Sequence, residues 1–235
     1  MRLFTDVPTR VLALYAHPDD ADIACGGTLA TWAARAAHVV LVTVCDGAKG
    51  TRDPQRDPRE LADVRHHELT VAASQLGVAE VLSLGRADGE ALNDDALRRD
   101  IVALVRRIRP DVVLGPDPTA TFFGSVYVNH RDHRETGWAV LDAVAPAAAM
   151  PLYFPEAGEP HEVSTVLLSG THEADVVVNI ADALDAKCKA VLAHTSQISG
   201  DHLDVRDVVE DRAAETGRLV SVAAGEAFRE LRLFG

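Results

Sequence analysis

Apolar residues fall along this chain in two alternating kinds of run. Short unbroken runs at residues 11–15, 39–44, 81–84 and 111–114 predict strands buried on both faces, as in a parallel sheet. Between them the apolar positions recur at helical spacing. Residues 28–37 are Ala-rich; 63–76 align Leu69, Ala72, Ala73 and Leu76; 95–109 align Leu97, Ile101, Leu104, Val105 and Ile108 before Pro110 stops them. Further on, 134–145 predicts a helix, 164–168 and 175–180 strands, 182–193 a helix ending at His194, and 207–227 a mixed helical tail. This alternation predicts a Rossmann-like, doubly wound α/β fold: a mostly parallel sheet flanked by helices. With no repeat and no linker, 235 residues predict one domain over 1–235. Three connections are long, at 46–60, 115–130 and 150–162, and long loops in a compact domain tend to carry function.

Composition narrows the class of protein. The formal charge is −13, which argues against a nucleic-acid backbone or an anionic membrane as main partner. No apolar stretch is long enough to span a bilayer. The opening MRLFTDVPTR has no signal-peptide core, and Cys25, Cys45 and Cys188 are odd in number without CxxC spacing; both features predict a reducing, cytoplasmic setting.

Two polar clusters stand out against this apolar frame. His17-Pro-Asp-Asp20 follows the first predicted strand directly. The second, His130-Arg-Asp-His133, comes in the chain beyond the 111–114 strand, at a helix start, where histidines three apart can face one point. An HPDD tetrapeptide alone is also a good turn. Two such clusters in one α/β chain, where ligands collect at strand carboxyl ends, instead offer three metal ligands and an open position, as in a catalytic site.

Ala16-His-Pro-Asp-Asp20 with Cys25-Gly-Gly-Thr28, and His130-Arg-Asp-His133, resemble the LmbE/PIG-L family of zinc-dependent N-acetylglucosaminyl deacetylases. The resemblance covers most of the chain and takes in Thr43-Val-Cys-Asp-Gly47, Arg65, Glu68, and Lys187 through His194-Thr-Ser-Gln197. It implies one Zn2+ per chain on His17, Asp20 and His133. It implies Asp19 as general base, and His130 as an imidazolium facing the oxyanion with Asp132 orienting it. It implies a small-molecule N-acetylated substrate, a glucosamine conjugate, and family members assemble as homo-oligomers, for which this chain carries no visible signature. One departure is Ala21 where many relatives have Glu; the acid follows one later, as Asp22.

Other residues read more weakly. Arg65 and Glu68 suit a surface ion pair, whereas the resemblance turns Arg65 toward the site; with His194 and Asp22 it is a candidate for substrate binding. Gly26-Gly27 ahead of a helix suits an anion at its N-terminus, and no dinucleotide fingerprint is present. Phe122, Phe123 and Tyr127 suit either a substrate wall or core packing. The remaining histidines, His38, His66, His67, His161, His172 and His202, have no partner motif and default to the surface. Two rival functions remain at this level: an amidase for a non-sugar N-acyl substrate, and a non-catalytic sugar- or nucleotide-binding module.

Overall fold

The chain is described by a computed structural model over residues 1–198 and 202–233. In chain order the elements are β1 (Arg2–Phe4), β2 (Arg10–Tyr15), α1 (Asp20–Ala33), β3 (His38–Cys45), α2 (Pro58–Leu76), β4 (Glu80–Arg86), α3 (Asp95–Ile108), β5 (Val112–Pro116), β6 (Phe122–Phe123), β7 (Tyr127–Val128), α4 (Arg131–Asp142), β8 (Thr165–Ser169), β9 (Val176–Asn179), α5 (Leu184–Ala193), α6 (His202–Arg218) and β10 (Gly225–Arg232). The main sheet runs β1-β9-β10-β8-β5-β2-β3-β4 and is parallel except at β10, which is antiparallel to both β8 and β9. β6 and β7 form a separate hairpin.

The apolar runs at 11–15, 39–44 and 111–114 become central strands because helices cover both faces, whereas the run at 81–84 falls in β4, the edge strand, where no residue is fully buried. Val11, Ala13 and Tyr15 of β2 pack with Leu29, Trp32, Leu69 and Leu76 of α1 and α2, while Leu12 and Leu14 pack with Leu97, Ile101 and Val140 of α3 and α4. Each valine, leucine or isoleucine among them, fully buried, contributes about 1.5–3 kcal/mol. Local signals set the ends: Asp57 caps α2 by accepting from Arg59 and Glu60 backbone N–H groups, and Gly77 closes it in the left-handed region at φ 71°. The chain leaves β2 to form β3 on one side and later β5 on the other. A crevice therefore opens beyond the carboxyl ends of β2 and β5, the place where this topology receives ligands.

Three elements differ from the sequence pattern. α1 begins at Asp20, not at residue 28, so Gly26 and Gly27 lie inside it and form no anion site at its start. Its first turn carries Asp20 and Asp22, which suit the positive end of a helix but hide the apolar period. A Cβ at Gly27 would lie 2.6 Å from Ile180 Cδ1, so glycine here serves close packing. The tail is α6 followed by β10, and the strand was hidden because Glu226, Arg229, Glu230 and Arg232 break its apolar pattern. β1 escaped notice because it is only three residues long.

Glu226 of β10 enters the interior. It accepts from Gly27 N (3.0 Å) and Thr28 N (2.7 Å) and pairs with Lys187, whose Nζ also donates to Ile23 O (2.7 Å). The pair grips α1 one turn past Asp20–Asp22. Glu226→Gln leaves the buried Lys187 ammonium without its counter-charge and is expected to cost about 3–5 kcal/mol in chemical denaturation. A loss below about 1 kcal/mol would show that the pair contributes no net stability.

Candidate metal centre

β2 delivers His17 into the crevice, and the next turn places Asp19 at the N-cap of α1 and Asp20 as its first residue. Asp20 Oδ2 accepts from His17 N at 2.7 Å, which fixes the turn. From the opposite side, His130 caps α4 and His133 lies in its first turn. His17 Nδ1 and His133 Nε2 are 3.2 Å apart, and Asp20 reaches both, at 3.4 Å and 3.2 Å.

Each imidazole is held by its other nitrogen. Asn129 Nδ2 donates to Ala120 O (2.8 Å), so its Oδ1 accepts from His133 Nδ1 (3.0 Å). His17 Nε2 donates to Asp88 (3.1 Å) and Asp132 (3.2 Å). With those nitrogens engaged as donors, His17 Nδ1 and His133 Nε2 face one point beside the Asp20 carboxylate, where either protons or a bound cation balance its charge. Burial disfavours charge on His17, yet hydrogen bonds to Asp132, Asp20 and Asp88 outweigh it and push its pKa up to about 12. Burial likewise opposes ionisation of Asp20, but His133 and His17 hold its carboxyl well below the usual range. One imidazole–carboxylate–imidazole set of this kind suits a divalent ion such as zinc.

Two other donor groupings share His17: His17, His130 and His133, and, on the Nε2 side of the ring, His17, Cys45 and Asp132. Burial, then Asp132, drives the Cys45 thiol far above its ordinary pKa, so it stays protonated and is a poor ligand. Asp132 is fully buried and is occupied by Gly89 N (2.7 Å), Ala91 N (3.1 Å) and His17. In the set His17, Asp20 and His133, the facing atoms His17 Nδ1, Asp20 Oδ1 and His133 Nε2 make no hydrogen bond outside the set among the described residues.

The remaining candidates separate clearly. Asp132 was expected to orient His130, but its nearest imidazole is His17, and His130 Nδ1 is 3.8 Å away. The His130 pKa moves down rather than up: burial comes first, then the charge of His17, against a smaller pull from Asp132. Its ring is half-exposed. Arg65 is buried and donates to Asp19 Oδ1 (2.8 Å) and Gly47 O (3.0 Å), so it forms no surface pair with Glu68. Glu68 instead accepts from Thr195 Oγ1 and from Ser196 N and Oγ. His194 and Asp22 are 2% and 0% exposed and bond each other at 2.7 Å, so burial removes both from direct substrate contact. His38, His66, His67 and His172 are exposed and His161 is half-buried against Pro110 O; the His202 side chain lies outside the described residues.

Sequence reasoning missed Asp88 and Asn129. Asp88 lies two residues past β4, and Asp46 and Asp117 lie one residue past β3 and β5, so an acid just past these three strand ends was the available signal. Asp46 Oδ1 accepts from Asp88 N (3.1 Å) and so steadies it. Asn129→Leu removes the support of His133 and is expected to weaken metal affinity by about 10–100-fold, measured by competition with a chelator. Unchanged affinity would show that α4 alone positions the ring.

A cleft of about 270 Å3 opens beside Asp20 and His133, walled by Tyr15, Ile23, Phe123 and Tyr127. Phe123 and Tyr127 thus line the cleft, while Phe122 is 66% exposed on the hairpin. A family model described as PIG-L, GlcNAc-PI de-N-acetylase, matches residues 12–144. The chain is 35% identical to a diacetylchitobiose deacetylase of Thermococcus kodakarensis, over 84% of this chain and 73% of that one. It is 30% identical to a 1D-myo-inositol 2-acetamido-2-deoxy-alpha-D-glucopyranoside deacetylase of Rhodococcus jostii, over 96% and 97%. The solved structure of N,N'-diacetylchitobiose deacetylase from Pyrococcus horikoshii with its inhibitor MPG superposes with a TM-score of 0.87 at 30% identity, covering 96% of this chain and 84% of that one.

Proposed function

Because this chain belongs to the PIG-L family, we propose that it is a zinc-dependent N-deacetylase, built as one domain over 1–235, that removes the acetyl group from an N-acetylglucosamine-type conjugate. The observation that carries this reading is the convergence of His17 Nδ1, His133 Nε2 and Asp20 within 3.4 Å at the mouth of an open cleft. Zinc held by His17, Asp20 and His133 would supply Lewis acidity, lowering the pKa of a water toward ~7 and polarising the amide carbonyl.

The chain's own residues do the rest. Arg65 holds Asp19 Oδ1, and Oδ2 has no hydrogen-bond partner among the described residues. Oδ2 takes a proton from the attacking water and returns it to the departing amine. His130 extends a ring N–H toward the carbonyl oxygen as negative charge develops there. Asp132 and Asp88 keep the His17 ring aimed, and Asn129 does the same for His133. The products are acetate and a free amine on the sugar.

The substrate is a small molecule. No helix among the described residues is long and apolar enough to cross a membrane. Cys25, Cys45 and Cys188 are free and buried, which suits a reducing cytoplasm. The test is amine release from a panel of N-acetylglucosaminyl conjugates by zinc-loaded protein. Release from these, and none from N-acetyl amino acids, supports the reading. Release only from N-acyl amino acids would make it an amidase of another class. No release and no bound metal would overturn it.

A further inference from the structure

We propose that Glu68 and the segment 194–197 form a brace that positions the general base Asp19 through Arg65, without touching substrate. The inference rests on the deacetylase reading, in which Asp19 carries the proton. Arg65 donates to Asp19 Oδ1 (2.8 Å) and to Gly47 O (3.0 Å), but its buried Nε has no partner among the described residues. The aim of the guanidinium, and with it the aim of Asp19, therefore depends on how α1, α2 and the turn at 47–50 are held together.

One short segment holds all three. Asp22 lies three residues past Asp19 at the start of α1, and Glu68 lies three residues past Arg65 on α2, so each stands one turn further along its helix. His194, which ends α5, bonds Asp22 Oδ2 through Nε2 (2.7 Å). Glu68 Oε1 accepts from Thr195 Oγ1 (2.8 Å) and Ser196 N (2.7 Å), and Oε2 accepts from Ser196 Oγ (2.7 Å). Residues 194–196 thus add a second rung between α1 and α2, one turn beyond the Asp19–Arg65 rung. Gln197 reaches the turn itself, its Nε2 donating to Gly50 O (3.1 Å). A Cβ at Gly50 would lie 2.5 Å from Arg65 Nη1 and 2.8 Å from Gln197 Oε1, so these two side chains grip the turn between them. Asp22, Glu68 and residues 194–197 lie outside the lining of the metal cleft. Asp22 Oδ1 and His194 Nδ1 are buried without a partner among the described residues, which costs stability rather than adding it. The gain is in geometry, because misplacing a reacting group by about 1 Å can slow a reaction about 100-fold.

The test measures kcat and KM on the N-acetylglucosaminyl conjugate that wild type hydrolyses best, with bound zinc assayed on each full-length preparation. Glu68→Ala removes all the bonds to Thr195 and Ser196. Glu68→Gln keeps their shape, since its amide oxygen still accepts and the Ser196 hydroxyl can accept from its amide N–H. The expected result for Glu68→Ala is a fall in kcat of about 10–100-fold with KM and zinc content near wild type, and for Glu68→Gln a kcat within about threefold of wild type. Added to Asp19→Asn, Glu68→Ala should lower kcat by less than about threefold more, because the group it positions is already gone. Unchanged kcat in Glu68→Ala, an equal fall in the Asp19→Asn background, or a fall that tracks lost zinc overturns the brace while leaving the deacetylase intact. If Glu68→Ala does not fold, Thr195→Val combined with Ser196→Ala, at exposed positions, removes both hydroxyl bonds and is judged by the same results. If wild type releases no amine from any conjugate, the deacetylase reading fails. The brace is then decided by amide hydrogen exchange at residues 46–52: faster exchange in Glu68→Ala, with β2 unchanged, supports it, and equal exchange overturns it.

Discussion

Asp19→Asn is expected to lower the rate constant of amine release by about 10²–10⁴-fold, the usual worth of a positioned general base, with KM and bound zinc little changed. The substitution is nearly isosteric. An asparagine oxygen still accepts from Arg65 Nη2, now 2.8 Å from Asp19 Oδ1, so the turn between β2 and α1 keeps its shape. Among the described residues Asp19 makes no hydrogen bond or ion pair with the facing nitrogens of His17 and His133, which Asp20 serves instead. What is lost is a group able to carry a proton from water to amine. Single-turnover kinetics and metal analysis on the same preparation separate the two effects. Turnover within about threefold of wild type would reduce Asp19 to an anchor for Arg65 and move the base elsewhere.

His133→Ala is expected to abolish stoichiometric metal binding, and turnover with it. Removing a ligand exceeds the about 10–100-fold cost of removing a ligand's support, because the donor itself is gone. Its loss also strands Asn129 Oδ1 and Asp20 Oδ1, both of which face the ring. Chelation of the wild-type protein should produce the same inactive state, and added zinc should restore it. In His133→Ala, added zinc should restore nothing at concentrations that saturate wild type, while the circular dichroism spectrum stays native. Full metal content in this variant would transfer the third ligand to His130, whose ring centroid lies 5.1 Å from that of His17.

The pattern along the chain was enough to determine the layered α/β architecture. Buried parallel strands must be apolar on both faces, and helices covering them must show one apolar stripe, so the alternation is written in residues 11–15, 39–44 and 111–114 and the helices between. The two clusters at His17–Asp20 and His130–His133 were legible because a turn explains one such tetrapeptide but not two imidazole–carboxylate clusters in one α/β chain. What only the tertiary structure decided is which groups meet. Asp132 is two residues from His130 in the chain, yet it serves His17, because the turn at Gly89–Ala91 presents two N–H groups that fix its carboxylate there. Arg65 and Glu68 are neighbours on one helix turn, yet packing of α2 against the loops at 47 and 195 sends one to Asp19 and the other to Thr195 and Ser196. Asp22 and His194, 172 positions apart, became partners in the interior. The identity of a buried polar group's partner depends on which elements close over it. Local spacing carries no record of that, because the free energy of satisfying the group comes from residues brought near only by folding.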